Sequence, residues 1–248
     1  MAGLDTIDGV LAPYPVGGGG VPGEAYRLSI RLLAYRIGGG PVARRPMTIS
    51  QRIRSEEMDD WFARRRGQAT VAANGHHRAG IDQFEMRDYL GASSDAEIVA
   101  LADTLARPVS VEDPVFGQLT LERGFRSFSG RGRFDGAEVS LSVSAKGEAP
   151  DPAVLSMAHA FFGDAAAWNQ RLRDYAASEL LELKNDNWSN DGQAPMETAR
   201  FVATLKPESV SIGDDGHFSV DYSAGTLFLG HNIMVSGTLS GGPDRAHI

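Results

Sequence analysis

Cysteine is absent from the 248-residue sequence. This excludes disulfide bonds, thiolate nucleophiles, cysteine-ligated zinc and iron–sulfur clusters. Lysine is scarce, because Lys146, Lys184 and Lys206 are the only lysines beside 21 arginines. Since arginine takes the place of lysine along the whole chain, an arginine at any one position says little by itself about binding.

Long hydrophobic runs are also missing. The longest nearly apolar stretch, residues 158–162, is far shorter than the roughly 20 residues of a membrane-spanning helix. The first ten residues hold no basic segment followed by an apolar core, so we expect no secretory signal. These absences predict a cytoplasmic protein without a membrane partner.

The charge balance is acidic and uneven. The net charge is -8, with 42% hydrophobic and 23% charged residues, which is ordinary for a globular protein. Residues 114–248 hold 17 acidic and 11 basic side chains, whereas residues 1–113 hold 15 and 13. An acidic total favours solubility and disfavours bulk binding to nucleic acid or anionic membranes.

Composition predicts three segments. Residues 1–23 are rich in glycine and proline, including the run Gly17–Gly20, which is typical of a flexible arm. We expect a small α+β domain over residues 24–111 and a second α+β domain over residues 112–248. The boundary lies within residues 107–114, where two prolines punctuate the pattern.

The N-terminal half carries two clear strand signals. Apolar residues alternate from Tyr26 to Leu32, and the alternation then changes parity at Leu33. One strand face cannot hold both patterns without an extra residue, so we expect a β-bulge near Leu32–Leu33. Farther along, Asn74–Gly75 between apolar runs predicts the turn of a hairpin.

The C-terminal half reads as strands, three helices, then strands. Asp151 and Pro152 suit the N-cap and first residue of the first helix. Segregated strands and helices predict an α+β fold, an antiparallel sheet with helices packed on one face. The expected strands cover residues 116–123, 126–134 and 137–145 before the helices, and 208–213, 217–223, 226–229 and 231–239 after them.

A spaced pattern of residues runs through this half. It consists of Phe116-Gly117, Leu119, Leu121 and Arg123, then Trp188, Phe201, Leu205, Ile212 and Asp215-Gly216, and finally Leu227-Phe228-x-Gly230-His231-x-Ile233-x-Val235. The pattern resembles a family of bacterial proteins known only as the domain of unknown function numbered 2262. The resemblance covers about residues 112–248, and the closing motif is its most specific part. The family has no established activity, so the resemblance implies no catalytic residue.

Four residues near the end of the chain form one candidate site. Asp215, His217 and Asp221 belong to one predicted hairpin, and His231 opens a neighbouring strand. If the two histidines face each other, they share a metal or act as a base oriented by a carboxylate. The alternative is local hydrogen bonding beside tight turns. If these four side chains converge in one cleft, they support an enzyme. If they are dispersed over the surface of a sheet, that support is removed.

A second candidate is the loop of Asn187, Ser189 and Asp191 between two helices. Oxygen ligands at alternate positions followed by a glycine resemble the start of a calcium loop. A calcium loop has a bidentate glutamate at its twelfth position. Counted from Asn187, the twelfth position here is Thr198, and the glutamate, Glu197, comes one residue too early. The alternative is a polar loop that ends a helix, with the adjacent tryptophan in the core.

The third candidate is an arginine-rich stretch. Residues 27–66 hold ten arginines and four acidic residues, with Tyr26, Tyr35, Trp61 and Phe62 interspersed. Basic and aromatic residues together are the composition of a nucleic-acid surface. The acidic total and the acidic residues that precede Arg64 argue against this interpretation.

Without a compact catalytic pattern or a cofactor motif, we expect a non-enzymatic protein that binds or neutralises another protein, and no cofactor. An acidic face within residues 151–205 would suit a basic partner. Its residues are Asp174, Glu179, Glu182, Asp186 and Asp191. The alternatives are a small metal-assisted hydrolase using His217, His231, Asp215 and Asp221, and nucleic-acid binding through the arginine-rich half.

Overall fold

A computed structural model describes residues 3–19, 25–64, 66–188 and 194–248. The chain divides into two compact units. Unit 1 contains Met1–Pro108 and Arg123–Phe125, and unit 2 contains Val109–Glu122 and Arg126–Ile248. In the part of the chain that is described, no helix is both long and apolar enough to cross a membrane.

Unit 1 is a closed barrel with short helices. Its strands are β1 (Asp5–Gly19), β2 (Tyr26–Ile37), β3 (Met47–Ile53), β4 (Thr70–Arg78) and β5 (Gln83–Gly91), and its helices are α1 (Met58–Ala63) and α2 (Ala96–Leu105). The barrel order is β1-β2-β3-β5-β4. Strands β3 and β5 are parallel, and the other neighbours are antiparallel. Helix α1 connects β3 to β4.

Strand β1 closes the barrel, because it pairs with β2 on one side and with β4 on the other. Most of the segment expected to be a flexible arm, residues 1–23, therefore forms a strand. Ile7 and Leu11 are buried in the barrel interior. At Gly9, an added Cβ would lie 2.5 Å from Leu32 Cδ1, so this glycine gives room for close packing and does not mark a mobile segment.

The expected bulge in β2 is confirmed. Val10 pairs with Ala34 while the next residue, Leu11, pairs with Leu32, so Leu33 is the extra residue. Before the bulge, leucine and isoleucine side chains of β2 fill the barrel. After the bulge, Ala34 packs in a separate apolar cluster with residues of α2. One extra residue thus lets a single strand serve two cores.

The hairpin expected around Asn74–Gly75 does not form, and the chain makes a hairpin with a later turn. Strand β4 continues through Asn74–Gly75, and the chain reverses in a short helical turn at Ala79–Ile81. Gly75 lies inside the strand, where an added Cβ would be 2.1 Å from the carbonyl oxygen of Glu85. The glycine is needed for this close approach of two backbones, and the same residue type also favours turns.

Unit 2 is a sheet with helices. Its strands are β6 (Ser110–Asp113), β7 (Gly117–Glu122), β8 (Ser127–Phe134), β9 (Ala137–Lys146), β10 (Ala149–Pro150), β11 (Lys206–Ile212), β12 (His217–Ser223), β13 (Ile233–Thr238) and β14 (Gly242–His247). Its helices are α3 (Pro152–Gly163), α4 (Ala165–Asn187) and α5 (Thr198–Thr204). The sheet order is β14-β13-β12-β11-β9-β8-β7-β6, with β10 paired to β9.

The α+β prediction for this unit is confirmed. Neighbouring strands in the sheet are antiparallel, except for the parallel pair of β9 and β11. The helices lie between these two strands in sequence and form the connection that a parallel pair needs. Asp151 is the N-cap of α3 and accepts a hydrogen bond from the backbone of Ala153. Alternate residues of the strands pack with the helices in one core, in which Phe134 stacks on Phe161 with ring centroids 5.2 Å apart.

A buried polar chain ties α4 to the sheet. The Tyr222 hydroxyl donates to Asn169 Oδ1 at 2.9 Å, and Asn169 Nδ2 donates to Asp135 Oδ2 at 2.6 Å. Asn169 is fully buried, so these bonds satisfy a side chain that water cannot reach. Burial also raises the pKa of Tyr222, and the phenol therefore stays protonated and able to donate.

Residues 226–229 are turns and not the expected strand. Gly225, Leu229 and Gly230 all have positive φ, at 56°, 54° and 88°, which a strand does not allow. Leu227 and Phe228 are buried and anchor the turns in the core. Burial thus explains Leu227 and Phe228, whereas Leu229 is 84% exposed.

We predict that Gly75→Ala destabilises the barrel. The new methyl group would meet backbone atoms of β5, and overpacking of this kind costs about 1–3 kcal/mol. Gly80→Ala is the matched control, because a Cβ added at Gly80 would have nothing within 4 Å. Urea denaturation should show a lower free energy of unfolding for the first variant alone. Equal values for the two variants would contradict this packing.

Candidate functional site

The structure does not bring the two C-terminal histidines together. His217 begins β12 opposite Thr238, whereas His231 lies two residues before β13, near the pair of Tyr222 and Ile233. These positions are at opposite ends of the β12–β13 pair. Five residues of strand separate the ends, which is about 17 Å. A shared metal or a shared proton is therefore not possible for these two side chains in this fold.

The two aspartates do not form a common cleft with the two histidines either. Asp215 is exposed in the short helical turn before β12, with φ of 57°. Asp221 accepts a hydrogen bond from Ser209 Oγ at 2.5 Å on the surface of the sheet. Within the described ranges, no group of three or more histidine or acidic residues is placed to hold a metal ion. The geometry on which the hydrolase hypothesis depended is not present.

The calcium-loop hypothesis falls partly beyond what the structure describes. Asn187 is the exposed last residue of α4, and Ser189 and Asp191 lie outside the described residues. The adjacent Trp188 is partly buried against the unit 2 core, with its ring centroid 5.6 Å from that of Phe228. The loop therefore stays a prediction, and the core role of the tryptophan is observed.

A polar pair that sequence reasoning missed lies in unit 2. The carboxylate of Asp113, at the end of β6, accepts backbone N–H bonds from Val115 and Phe116, each at 2.9 Å. His159 Nε2 of α3 lies 3.0 Å and 3.1 Å from the two carboxylate oxygens. The residues are 46 positions apart in the chain, so no local motif announces the contact.

These contacts decide the charge of Asp113. Burial opposes ionisation of this side chain, but the two backbone donors and His159 together outweigh burial and lower the pKa of Asp113. The carboxylate is therefore charged near neutral pH and fastens α3 to the β6–β7 turn. This role is structural, because it holds a helix onto the sheet.

The arginines of unit 1 form a more informative cluster. Arg27 and Arg31 of β2, Arg52 of β3 and Arg87 of β5 alternate with buried residues and are all exposed. We call these four residues the arginine face. Arg27 lies directly opposite Arg52 in the β2–β3 register. Like charges directly opposite each other destabilise a sheet, so this pair has a cost that folding alone does not require.

The other arginines of unit 1 include several with carboxylate partners. Arg36 pairs with Asp95 and Glu97, Arg45 with Asp82, Arg54 with Glu56 and Glu57, and Arg78 with Glu85. By contrast, no ion pair joins the arginine face to a carboxylate among the residues described. Arg27 does donate to Ser50 Oγ at 3.3 Å. Among the residues described, the four guanidinium groups of the face are thus not engaged directly by a carboxylate.

The two units differ in charge more than the two sequence halves do. Unit 1 holds 14 arginines and 13 acidic residues, and unit 2 holds 10 basic and 19 acidic residues. The acidic total of the chain therefore comes from unit 2. Because exposed charges are screened beyond about 8–10 Å, the local balance of the barrel decides what its surface attracts.

A polar cleft of about 570 Å³ adjoins the arginine face. It lies between β3, α1 and β5, and buried Trp61 is one of its lining residues. The indole N–H of Trp61 donates to Gln51 Oε1 at 2.7 Å, and Gln51 Nε2 donates to the carbonyl of Arg87 at 3.4 Å. The lining residues are Gln51, Arg52, Ile53, Glu57, Asp60, Trp61, Arg64, Arg87, Asp88 and Tyr89.

Unit 2 presents a different surface. On the sheet face opposite the helices, seven serine and threonine residues from seven neighbouring strands are paired with one another in register. We call this line of residues the hydroxyl row. Neighbouring strands are about 4.8 Å apart, so the row is about 29 Å long. Its members are Ser110, Thr120, Ser129, Ser142, Ser211, Ser219 and Ser236.

Residues 113–248 match the model of a family described as an uncharacterized protein conserved in bacteria, DUF2262. The match covers more than half of the chain. The chain belongs to the DUF2262 family. This confirms the resemblance that the spaced pattern suggested over residues 112–248. No curated protein matches the chain, and no solved structure matches it.

The DUF2262 match covers most of unit 2 and leaves the barrel outside it. The barrel can still be compared by topology. A closed barrel in the order β1-β2-β3-β5-β4, with a helix between β3 and β4, has the arrangement of the oligonucleotide- and oligosaccharide-binding fold. In that fold, the outer surface of the second and third strands is the usual binding surface. Arg27, Arg31 and Arg52 lie on this surface.

We predict that Asp113→Asn makes unit 2 less stable in a pH-dependent way. A lowered pKa in the folded state stabilises the protein above the unfolded value of about 3.9, and this contribution is lost as pH falls through the folded value. Removing one charged hydrogen-bonding partner costs about 1–3 kcal/mol near pH 7. The difference from the native protein should shrink toward pH 3.

Urea denaturation between pH 3 and pH 8 measures this difference. Asp164→Asn is the control, because Asp164 is exposed beside α4 and makes no side-chain capping bond. A pH-independent loss in Asp113→Asn would mean that the carboxylate charge is not what holds α3 in place.

Proposed function

We propose that this DUF2262 protein is a non-enzymatic binding protein whose barrel binds single-stranded nucleic acid through the arginine face. The observation that carries the proposal is the group of four exposed arginines on β2, β3 and β5 without a described carboxylate partner. The topology indicates where a ligand would lie. Because one fold hosts many functions, the chemistry of the arginines has to support the proposal by itself.

Arginine is suited to phosphate. Its planar guanidinium presents donors that match two phosphate oxygens, and it is weakly hydrated compared with an ammonium group. Arg27 and Arg31 are four residues apart on β2, which spaces their backbones by about 13 Å. Arg52 lies beside Arg27 across the β2–β3 pair, so a polyanion that reaches Arg27 can contact Arg31 along the strand or Arg52 across it.

Single strands fit the surroundings of the face better than duplexes do. The adjoining cleft is lined by Tyr89 and shares Arg52 and Arg87 with the face. Bases of a single strand are free to project from their backbone and to stack on aromatic rings. Few aromatic side chains line the face, so we expect phosphate contacts to dominate the affinity.

We predict that the full chain binds a fluorescent 12-nucleotide single strand with steep salt dependence. Four phosphate contacts give a slope of log K against log salt of about -3. Replacing Arg27 and Arg52 together by alanine should weaken binding about tenfold or more and bring the slope to about -1.5. Fluorescence anisotropy at several salt concentrations measures both quantities.

The matched control replaces Arg54 and Arg78 by alanine. Both are exposed arginines of the same unit, and both pair with glutamates. The control has the same change in net charge, so it should bind nearly as the native chain does. Equal weakening in both double variants would show a general charge effect and would remove the arginine face from the proposal. Absence of binding at low salt would overturn the proposal itself.

A second proposed function is protein binding by unit 2, which was the leading expectation from the sequence. The hydroxyl row favours it, because small hydroxyl side chains lose little conformational freedom and can both donate and accept hydrogen bonds. The row is long enough to run across an interface patch of standard size. The excess of nine acidic residues in unit 2 would steer a basic partner toward it.

We predict that Ser219→Arg removes such a partner. Ser219 lies at the middle of the β11–β12–β13 part of the row, where a long cationic side chain would obstruct docking. Ser156→Arg is the control with the same charge change, at an exposed position of α3. Capture from the native host's lysate, read by mass spectrometry, should give one stoichiometric protein with the native chain and with the control only. Equal recovery from all three chains would contradict docking on the row.

A further inference from the structure

The cleft beside the arginine face contains acidic side chains as well as basic ones. Asp60 of α1 and Asp88 of β5 line it together with Arg52, Arg64 and Arg87. Both aspartates are exposed, and neither takes part in an ion pair among the described residues. The third acidic residue of the lining, Glu57, is already engaged by the backbone N–H and the guanidinium of Arg54.

Carboxylates at this place oppose phosphate binding, because two negative charges a few ångströms apart repel each other. They accept hydrogen bonds, however, and nucleobases carry N–H groups. The amide of Gln51 does not compete for this role, since its oxygen and nitrogen are bonded to Trp61 and to the Arg87 carbonyl. The cleft thus combines acceptors for a base with arginines for the phosphates beside that base.

Guanine fits these acceptors best among the common bases. Its pairing edge presents two adjacent donors, the ring N–H and the exocyclic amino group, which match the two oxygens of one carboxylate. Adenine and cytosine have an acceptor next to the amino group, and thymine and uracil have one N–H between two acceptors. An acceptor that faces a carboxylate is unpaired and repelled, so each of these bases is disfavoured.

The cleft is large enough to admit a base. Its volume of about 570 Å³ lies within the range of small-molecule sites. The ring of Tyr89 stands at its side, and Tyr89 donates its hydroxyl to Gln68, which holds the ring in place. A base that leaves the stack of a single strand can regain contact with such a ring.

We infer that the cleft selects an unstacked guanine in the bound strand, with Asp60 and Asp88 as acceptors and Arg52 and Arg87 at the flanking phosphates. This inference rests on the proposed binding of single-stranded nucleic acid by the arginine face. It assigns the sequence preference to carboxylates and the general affinity to arginines, so the two contributions separate by mutation.

The test uses the full chain and four labelled 12-mers of thymidine that differ at one central position, which is guanine, adenine, cytosine or thymine. We expect the guanine strand to bind about tenfold more tightly than the all-thymine strand. The double variant D60N/D88N should lose this preference. Its affinity for the all-thymine strand should rise, because two repelling charges are removed.

The control is D59N, which alters a neighbouring exposed aspartate of α1 that does not line the cleft. It should keep the guanine preference. If the four strands bind equally and binding still depends on Arg27 and Arg52, the guanine inference is wrong and the proposed function stands. A preference that persists in D60N/D88N also overturns the inference. If no strand binds, the proposed function fails and the inference fails with it.

Discussion

The register in which neighbouring strands pair is the constraint on which both surfaces of this protein depend. Side chains alternate between the two faces of a strand, so a shift of one residue would turn a whole face over. In the barrel, the β2–β3 register places Arg27 beside Arg52 outside and the leucines of β2 inside. In unit 2, the β9–β11 register aligns Ser142 with Ser211 and continues the hydroxyl row across the point where the helices interrupt the chain.

Charge and packing are arranged differently in the two units. The barrel keeps several guanidinium groups in water on one surface and puts apolar side chains inside, so it can tolerate like charges at close range. In unit 2, the polar groups that burial would penalise are matched, as in the chain from Tyr222 through Asn169 to Asp135 and in the pair of Asp113 and His159. These buried hydrogen bonds hold the helices on the sheet, and the hydroxyl row lies on the opposite face of the sheet.

Local signals in the sequence were good guides where the structure depends on near neighbours. The change of parity at Leu33 predicted the bulge, and Asp151 before Pro152 predicted the start of α3. Glycine was a weaker guide, because it serves turns and close backbone approach alike. Gly75 therefore suggested a turn where the structure has a strand, and the glycines of β1 suggested an arm where the structure closes a barrel.

The sequence by itself determined the α+β class of unit 2, its membership of an uncharacterised bacterial family and the positions of caps and bulges, because hydrophobic period and capping chemistry act over a few residues. Only the tertiary structure decided which distant strands became neighbours. It closed the barrel with β1, gathered Arg27, Arg52 and Arg87 on one surface, and set His217 and His231 at opposite ends of a strand pair. These outcomes depend on pairing between segments far apart in the chain, which no local pattern encodes.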